Sequence, residues 1–310
     1  MKKLIALLLV LVMAIGLFAC AKKTEDDGFK VAVSVAEYNE WNKLYENIIK
    51  EKCEANGWTY EIFDAKQDAN TQIDQVRSII NQGFDAMTIQ AADMAALAPV
   101  VVEAADKGII VVDHYGFADE LGISDKIYKV LFGQKESGVK EAEEYIKLNG
   151  DSGKVAIISG LTGADNAMQR VAGMKEVLDK YPNIEIVATE YCDWDTQKAQ
   201  TAAENILTAH PDLKAFLVAD DGMSKGVWNA IEAAQKQETC KIASQGFYEW
   251  SKEYIKNDKF MFSITYPAGF FSRDAMDVIK AVVDGQTVEH VKYLGMELVT
   301  KANVDTAAHD

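Results

Sequence analysis

Cysteine is scarce in this chain. Only four of the 310 residues are cysteines, and the three that follow Cys20 (Cys53, Cys192 and Cys240) cannot all pair with one another. No CxxC spacing and no cluster of cysteine with histidine occurs, so the usual pattern of a zinc site is missing and we expect no metal. We interpret the three as small buried apolar residues. A Cys192–Cys240 disulfide stays open as an alternative, because nothing in the sequence requires it.

Positive charge is also scarce. The chain has 32 lysines and arginines against 48 acidic residues, a net charge of −16, and only Arg77, Arg170 and Arg273 are arginines. Nucleic-acid binding depends on neutralising phosphates with basic side chains, and anionic lipid surfaces attract the same residues. We therefore expect no nucleic-acid partner, no adhesion of the folded surface to lipid, and no polyanionic ligand.

The signatures of common enzymes are absent. There is no GxGxxG after a strand, no P-loop, no GxSxG and no HExxH. Asp220 and Asp221 are paired carboxylates, but adjacent residues at the start of a helix point apart, and an Asp221 that merely caps that helix should matter little for a ligand. We expect no enzymatic activity and no cofactor.

A long apolar run occurs only at the N-terminus. Lys2 and Lys3 precede the run from Leu4 to Ala19, and this order of basic, apolar and small residues is typical of an export signal. A permanent membrane helix needs about 20 apolar residues, and the run is shorter. Residues 1–19 are therefore predicted to be a signal peptide. Its removal leaves 30 basic against 48 acidic side chains, a net charge of −18.

The end of that run carries a second signal. Leu17-Phe18-Ala19-Cys20 resembles the lipobox of bacterial lipoproteins, in which the cysteine is acylated and the chain is cut before it, although Phe18 is bulkier than the usual residue. The alternative is an ordinary secretory signal with an incidental cysteine. Residues 20–28 are polar and aperiodic, as in a flexible tether. We expect an extracytoplasmic protein that touches the membrane only through a lipid on Cys20.

From residue 29 onward, short β-branched runs alternate with amphipathic stretches. Strand candidates are 31–35, 59–65, 86–90, 109–114, 154–160, 184–191, 215–221, 241–247 and 262–266, and helical stretches include 42–55, 71–81, 94–107 and 197–209. The strand candidates are nearly continuously apolar, which is typical of parallel sheets covered by helices on both faces. The pattern predicts an α/β fold with doubly wound parallel sheets, and its similar spacing in both halves indicates two lobes. The polar segment 116–126 should leave the first sheet, and the short strand 128–133 should lead to the second lobe.

Polar and aromatic residues recur where the predicted strands end, which is where open α/β sheets bind ligands. They are Tyr38, Asn39, Trp41, Gln90, Asp113 and His114 in the first half, and Asn166, Trp194, Asp220, Gln245 and Tyr266 in the second. Carboxylates and amides bind hydroxyl groups, and aromatic faces cover the C–H side of a sugar ring. The mixture favours a neutral polyhydroxylated ligand. For each residue the alternative is a helix cap or a core position.

Several of these runs together resemble a known family. KVAVSVAEYNEWNKLYENI, IIVVDH, DWDTQKAQTAAENILTAHPDLKAFLVADDGMSKG and KIASQGF are similar to the sugar-binding proteins of bacterial ABC importers, nearest the ribose- and galactose-binding, type I periplasmic branch. HPDLKAFLVADD is the most specific part. The resemblance implies two doubly wound lobes joined by three crossovers, with a ligand cleft between lobes that close on a hinge.

The resemblance also implies boundaries. Lobe one would comprise 29–131 plus 267–290, and lobe two 132–266 plus 291–310. The crossovers would lie near Phe132–Gln134, Tyr266 and Gly295. Gln134, at the first crossover, joins the predicted ligand-binding residues.

Matched to the family pattern, Tyr38 falls on a polar position and Trp41 on a ring-stacking one. Asp113 falls on the carboxylate of the first lobe that holds sugar hydroxyls, and Trp194 on an aromatic residue of the second-lobe wall. These four positions therefore imply contacts from both lobes to one ligand.

Other positions depart from the family pattern. His114 and Met168 stand where ribose-binding members commonly have arginine, with Asn166 and Arg170 beside Met168, and we count both neighbours among the binding residues. Asp220 replaces a usual asparagine, Gln245 a usual aspartate and Tyr266 a hinge glutamine. The departures disfavour plain ribose and indicate another hydroxyl pattern or a ligand that carries an amine.

The predicted function is a monomeric solute-binding protein that captures a neutral sugar or polyol and delivers it to an ABC permease by lobe closure. One alternative is a membrane-tethered sensor of the same fold that serves no importer, which genome context beside a permease gene would separate. The other is a binding protein for an amine-bearing or other non-sugar small molecule. A transcription regulator of this fold would carry a helix-turn-helix before residue 29, where the export signal stands.

Overall fold

A computed structural model describes residues 28–114, 126–266 and 268–307. The predicted signal peptide (1–19), Cys20, all but the last residue of the tether (20–28) and most of the segment 116–126 lie outside these residues. Within the described ranges, no helix is both long and apolar enough to cross a membrane.

The first lobe is built on a six-stranded parallel sheet. Its strands are β1 (Lys30–Val35), β2 (Thr59–Asp64), β3 (Ala86–Ile89), β4 (Ile110–Asp113), β5 (Ile127–Leu131) and β11 (Val291–Tyr293), in the order β11-β5-β4-β3-β1-β2. Its helices are α1 (Glu40–Asn56), α2 (Ala69–Gln82), α3 (Met94–Asp106) and α9 (Ala268–Val283).

The second lobe is built on another six-stranded sheet. Its strands are β6 (Ser152–Ser159), β7 (Asn183–Tyr191), β8 (Leu213–Val218), β9 (Lys241–Gly246), β10 (Phe262–Thr265) and β12 (Glu297–Val299), in the order β12-β10-β9-β8-β6-β7. Its helices are α4 (Gln134–Asn149), α5 (Asp165–Leu178), α6 (Thr196–Ala209), α7 (Asp221–Ala233) and α8 (Ser251–Lys256). Only β12 runs antiparallel to its neighbour.

The two sheets share a topology. Five strands follow the order β2-β1-β3-β4-β5 in one lobe and β7-β6-β8-β9-β10 in the other. All nine strand candidates are present, so the predicted α/β fold with two doubly wound lobes is confirmed. The sequence pattern missed β11 and β12, because three residues are too few to show a period.

The chain passes between the lobes three times: after β5, after β10, and between β11 and β12. Val291–Tyr293 pairs with Ile127–Leu131 of β5, so these residues belong to lobe one and the boundary predicted at residue 290 is wrong. The third passage lies between Tyr293 and Glu297, around Gly295. The strand predicted at 128–133 also stays in the first sheet, and the chain leaves that sheet only after it.

Helices cover both faces of each sheet, which explains the continuously apolar strands. In β1, Val31 and Val33 pack on the side of α1 and α9, while Ala32 between them faces the cluster formed with α2 and α3. Successive side chains of a strand point to opposite faces, so a strand covered on both sides needs apolar residues throughout.

Several helices begin at an Asn or Asp that follows a strand. Asn39, Asp68, Asp93, Asp195 and Asp220 each accept a backbone N–H from the first turn of the following helix. Such caps stabilise helix ends, and they also bring polar side chains to the edge of the sheet where the strands end.

The three described cysteines are free. Cys53, Cys192 and Cys240 are buried and unpaired, so the Cys192–Cys240 bridge left open above is not formed. Burial raises the pKa of each thiol, to about 11 for Cys53 and Cys192 and to about 12 for Cys240. They serve as apolar core residues, as predicted.

Candidate functional site

A cavity lies between the lobes at the carboxyl ends of their strands. Lobe one contributes Ala36, Glu37, Asn39, Trp41, Asn42, Gln67, Gln90, Ala91 and Phe271. Lobe two contributes Gln134, Leu161, Ala164, Asn166, Arg170, Trp194 and Asp220, and the passages between lobes contribute Phe132 and Tyr266. Of the predicted binding residues, the structure brings nine together here: Asn39, Trp41, Gln90, Gln134, Asn166, Arg170, Trp194, Asp220 and Tyr266.

Arg170 is the fixed cation of this cavity. Its Nε donates to Gln134 Oε1 at 2.9 Å, and its Nη1 donates to the Ala219 carbonyl and to Tyr266 Oη, both at 2.5 Å. A Cβ on Gly138 would lie 2.1 Å from the Arg170 carbonyl oxygen, so glycine allows α4 to approach α5 this closely. The side chain is buried and held from several directions.

Asp220 supplies a carboxylate to the same wall. Its Oδ1 accepts the Gly222 N–H at 2.7 Å as the cap of α7, and its Oδ2 accepts the Tyr248 hydroxyl at 3.1 Å. Burial raises the pKa of Asp220, and the nearby Arg170 charge opposes that rise. The predicted site residue is therefore also a helix cap.

Asp221 has a different task from the one expected. The cap is Asp220, and Asp221 is fully buried beneath it. It accepts the Ser263 hydroxyl at 2.9 Å, the Phe247 N–H at 3.0 Å, and the hydroxyls of Ser244 and Ser251. Burial raises the pKa of this carboxyl to about 7. It joins three segments of lobe two behind the cavity.

Aromatic rings form walls on both sides. Trp41 lies edge-on to Phe271, with ring centroids 5.7 Å apart, and Phe132 stacks on Tyr266 at 4.4 Å. Trp194 has a left-handed backbone (φ 57°), and a Cβ on Gly160 would lie 1.9 Å from its ring, so the ring needs glycine there. Such faces can cover the apolar side of a ring-shaped ligand.

Four predicted residues do not line the cavity. Tyr38 points away, because successive side chains of an extended segment alternate, and its hydroxyl donates to Glu46. Asp113 is fully buried at the end of β4, and its predicted contact with ligand stays a prediction. His114 and Gln245 are occupied by protein partners.

His114 belongs to the core of lobe one. Its Nδ1 lies 3.2 Å from the Val130 carbonyl, which can only accept, so Nδ1 carries the proton. Its Nε2 then accepts the Tyr45 hydroxyl at 2.6 Å. Burial lowers the pKa of the imidazole to about 4, so the ring is neutral at pH 7.

Gln245 is fully buried and bonded to a buried acid. Its Nε2 lies 2.5 Å from Oε2 of Glu141, whose Oε1 accepts the Val218 N–H at 2.9 Å. Burial raises the pKa of Glu141 to about 8, against the lowering effect of these hydrogen bonds and of Arg170. This pair supports the wall from behind.

Nine lining residues were not predicted from the sequence. Four of them are small or aliphatic (Ala36, Ala91, Leu161 and Ala164), and the other five are Glu37, Asn42, Gln67, Phe132 and Phe271. The rule about strand ends could have found Gln67, because it follows β2 as closely as other candidates follow their strands. Phe132 lies in the first passage between lobes, between β5 and Gln134. Asn42 lies within α1 and Phe271 within α9, so no strand-end rule reaches them.

Hydrogen bonds join the lobes across the cavity rim. Gln67 Nε2 donates to the Asp193 carbonyl of lobe two and to Glu37 Oε2 of its own lobe, both at 2.7 Å. Trp250 Nε1 of lobe two donates to Glu40 Oε1 at 3.2 Å. Since direct bonds span the cleft, the lobes are in contact in this structure.

The site as a whole suits a small polar ligand. Its arginine already has protein acceptors and lies near Asp220, and the Glu37 carboxylate accepts from Gln67. The rest of the lining offers amides, aromatic faces and small apolar side chains. Among the described residues, no group of three histidines, cysteines, aspartates or glutamates is placed to hold a metal ion. The arrangement can bind and enclose a small polar ring.

Comparison with known proteins gives the family. A family model for a periplasmic binding protein domain matches residues 30–287. A D-ribose/D-allose-binding protein of Pseudomonas aeruginosa is 31% identical over 228 residues, which cover 73% of this chain and 71% of that protein.

Solved structures agree in fold. An ABC transporter solute-binding protein from Actinobacillus succinogenes with bound D-allose has a TM-score of 0.82 at 23% identity, covering 90% of this chain and 100% of that one. One from Bacillus halodurans with bound myo-inositol has a TM-score of 0.81 at 24% identity, covering 91% and 98%. These likenesses show the fold, and the matched family model and the relative from P. aeruginosa establish that the chain belongs to the periplasmic binding protein family.

Proposed function

We propose that this protein captures a neutral sugar or polyol between its lobes and presents the closed form to an ABC permease. The observation that carries the proposal is the cavity itself, in which aromatic walls from both lobes flank buried amides and a cation near a carboxylate. Relatives that bind ribose, allose or inositol support the ligand class. The family consists of binding proteins, and we propose no catalytic turnover.

Lobe closure would carry the signal. Each lobe holds part of the lining, so a ligand interacts better with the closed form and shifts the equilibrium toward it. A permease that binds the closed form would then receive only loaded protein. A tethered sensor would use the same cleft and closure, and deletion of a neighbouring permease gene would abolish uptake only for an importer.

The ligand class is tested by thermal shift and calorimetry. The compounds are D-ribose, D-allose, xylitol, myo-inositol, D-glucosamine, adenosine and L-glutamate. A bound compound at 100 times its dissociation constant should stabilise the protein by about 2.7 kcal/mol. Stabilisation by glutamate alone would contradict the sugar proposal, and stabilisation by glucosamine alone would favour an amine-bearing ligand.

Asp220 is proposed to accept ligand hydroxyls. Asp220→Asn keeps a side-chain oxygen for the α7 cap but removes the charge, so affinity should fall about 10- to 150-fold, the range for a charge-assisted hydrogen bond. Trp194→Ala should weaken binding by removing one wall. Asp113→Ala measured in parallel tests whether the predicted contact of that buried residue exists.

The N-terminal proposal is independent of the ligand. We propose that the mature chain begins at a diacylglyceryl-modified Cys20, that residues 21–28 tether a monomer to the outer face of the membrane, and that the folded surface, rich in acidic residues, does not bind lipid. Mass spectrometry of the N-terminal peptide should find the lipid mass on Cys20. A mature chain that starts elsewhere would contradict it, and light scattering of a variant that starts at residue 21 tests the monomer.

A further inference from the structure

Three buried amide atoms in the cavity lining have no hydrogen-bond partner among the described residues. They are Asn42 Oδ1, Gln90 Nε2 and Gln134 Nε2, on side chains at most 5% exposed. Buried polar groups are normally paired, and an unpaired one weakens the folded protein. Unpaired atoms in the lining of a cleft indicate what the missing partner must offer.

The orientation of the Gln134 amide is fixed by Arg170. Arg170 Nε donates to Gln134 Oε1 at 2.9 Å, and a guanidinium has no acceptor, so the oxygen end of the amide must face it. The Nε2 end therefore faces away from Arg170. The atom of Gln134 that lacks a partner is therefore an N–H donor.

The orientation of the Asn42 amide is fixed in the opposite sense. Its Nδ2 donates to the Glu37 carbonyl at 2.6 Å and to Asn39 Oδ1 at 3.3 Å. A carbonyl oxygen can only accept, so the nitrogen end of the amide must be there and Oδ1 remains. Asn42 can offer only an acceptor to a ligand.

We propose that Asn42 and Gln134 are specificity-determining residues that read opposite hydrogen-bonding requirements of one ligand: Asn42 accepts from a ligand hydroxyl, and Gln134 donates to a ligand oxygen. Asn42 lies on α1 of lobe one and Gln134 begins α4 of lobe two, so the two contacts come from opposite lobes. Asn42 requires a ligand group that bears hydrogen, whereas Gln134 can donate to a hydroxyl, ring or carbonyl oxygen. This inference rests on the proposed function and narrows its ligand to compounds that place a free hydroxyl against lobe one.

The first test reverses the polarity at Gln134. Gln134→Glu keeps an oxygen for Arg170 and replaces the N–H donors by an acceptor, so D-ribose, D-allose, xylitol or myo-inositol, whichever bind the wild type, should bind about 5- to 150-fold more weakly. Gln82→Glu, on the exposed end of α2, makes the same charge change and should bind as the wild type does. Unchanged calorimetric affinity in Gln134→Glu would overturn the assignment.

The second test introduces no charged side chain into the cleft, unlike Gln134→Glu. Monodeoxy derivatives of the tightest-binding compound of the four are measured against the wild type, Asn42→Ala and Gln134→Met. Removal of one particular hydroxyl should weaken binding to the wild type but should have no further effect on binding to Asn42→Ala, which already lacks the partner of that hydroxyl. Removal of a different oxygen should weaken binding to the wild type but have no further effect in Gln134→Met. Melting temperatures of the ligand-free variants separate lost contacts from unfolding, because a merely structural role couples to no particular hydroxyl.

The outcomes are distinct. If the wild type binds at least one compound but neither residue couples to a deoxy position, the inference fails and the proposed function stands. If the wild type binds none of the four, both fail.

Discussion

Behind the cavity walls, the two lobes are supported by groups of opposite acid–base behaviour, although five of their strands follow the same order. In lobe one, His114 is buried as a neutral base, and burial lowers its pKa to about 4. In lobe two, Glu141 and Asp221 are buried acids, and burial raises their pKa values to about 8 and about 7. A shared topology therefore does not impose a shared way of holding the strand ends.

The difference concerns stability against pH. Burial disfavours the charged form in both lobes, but the charged form appears on acidification in a histidine and on alkalinisation in a carboxyl group. The contribution of His114 is lost as pH falls, and that of Glu141 is lost as pH rises. Replacing each buried group in turn tests whether the two lobes differ in this way.

The largest effect is expected from Asp221→Ala. This change removes the acceptor of the Ser251 and Ser263 hydroxyls and of the Phe247 N–H, whereas the Ser244 hydroxyl can still donate to Ser224 Oγ, 2.7 Å away. At about 1–3 kcal/mol for each of the three groups, the free energy of unfolding should fall by about 3–9 kcal/mol. Urea unfolding followed by circular dichroism measures it. Asp151→Ala, at an exposed position before β6, should change the free energy of unfolding by no more than about 0.5 kcal/mol. An equally small effect of Asp221→Ala would contradict the role of Asp221 in joining three segments of lobe two.

The next effect is the pH response at Glu141. Its folded pKa of about 8 lies above the ordinary 4.5, so the folded state holds a proton that the unfolded state releases, and stability falls as pH rises between these values. From pH 5.5 to pH 8 this amounts to about 3 kcal/mol, which Glu141→Gln should abolish. The comparison is between unfolding free energies of wild type and variant at both pH values. Glu143→Gln, exposed on the same helix, should leave the wild-type slope unchanged, and the same slope in Glu141→Gln would contradict the shift.

A smaller effect of opposite sign is expected at His114. Its folded pKa of about 4 lies below the ordinary 6.5, so the unfolded state binds the extra proton and stability falls as pH falls from 6.5 toward 4. Between pH 6.5 and pH 4.5 this is worth about 2 kcal/mol. His114→Phe should remove that part of the acid loss, with Tyr45→Phe added so that no hydroxyl is stranded. The control His210→Phe, at the half-buried end of α6, should leave the loss of stability at acid pH unchanged. If the free energy of unfolding falls equally with pH in the wild type and in the His114 variant, the role assigned to His114 is wrong.

The smallest effect concerns the contact between the lobes. Gln67→Ala removes the hydrogen bond to the Asp193 carbonyl across the rim, which is worth about 0.5–1.5 kcal/mol. Affinity for every bound sugar should fall by the same factor of about 2 to 12, because the closed form loses stability without any change in ligand selectivity. Small-angle scattering should show a more extended ligand-free protein. A change in selectivity would instead mean that Gln67 contacts the ligand directly.

Much of the architecture was predictable because it follows from periodicity. Buried parallel strands must be apolar on both faces, so a run such as Val31–Val35 can be recognised as a strand from the sequence. The carboxyl ends of such strands then predict where the cleft lies. Trp41 and Trp194 were found in this way. By contrast, β11 contributes only three residues, and only its pairing with β5 assigns it to lobe one.

The limits at the site are of a different kind. Asp220 and Asp221 have the same side chain, and their roles differ only because α7 begins at Asp221. Asp220 is therefore the cap, and Asp221 lies buried in the first turn. The environment of His114 depends on Tyr45, 69 positions away, and that of Gln245 on Glu141, 104 positions away. Distant partners of this kind leave no local pattern in a single sequence.

The discontinuous make-up of lobe one has a consequence for how the chain folds. Residues 134–265 contain five strands of lobe two without interruption, whereas lobe one needs α9 and β11, which follow them. Helix α9 packs on α1, and Lys52 bonds to Asp277, 225 positions away, at 2.6 Å. Contacts over such separations form slowly, because a long loop must close before any of them is gained. A chain emerging from its N-terminus therefore cannot complete lobe one, the lobe that begins first, until Tyr293 is present, and by then lobe two lacks only β12 and the residues after it.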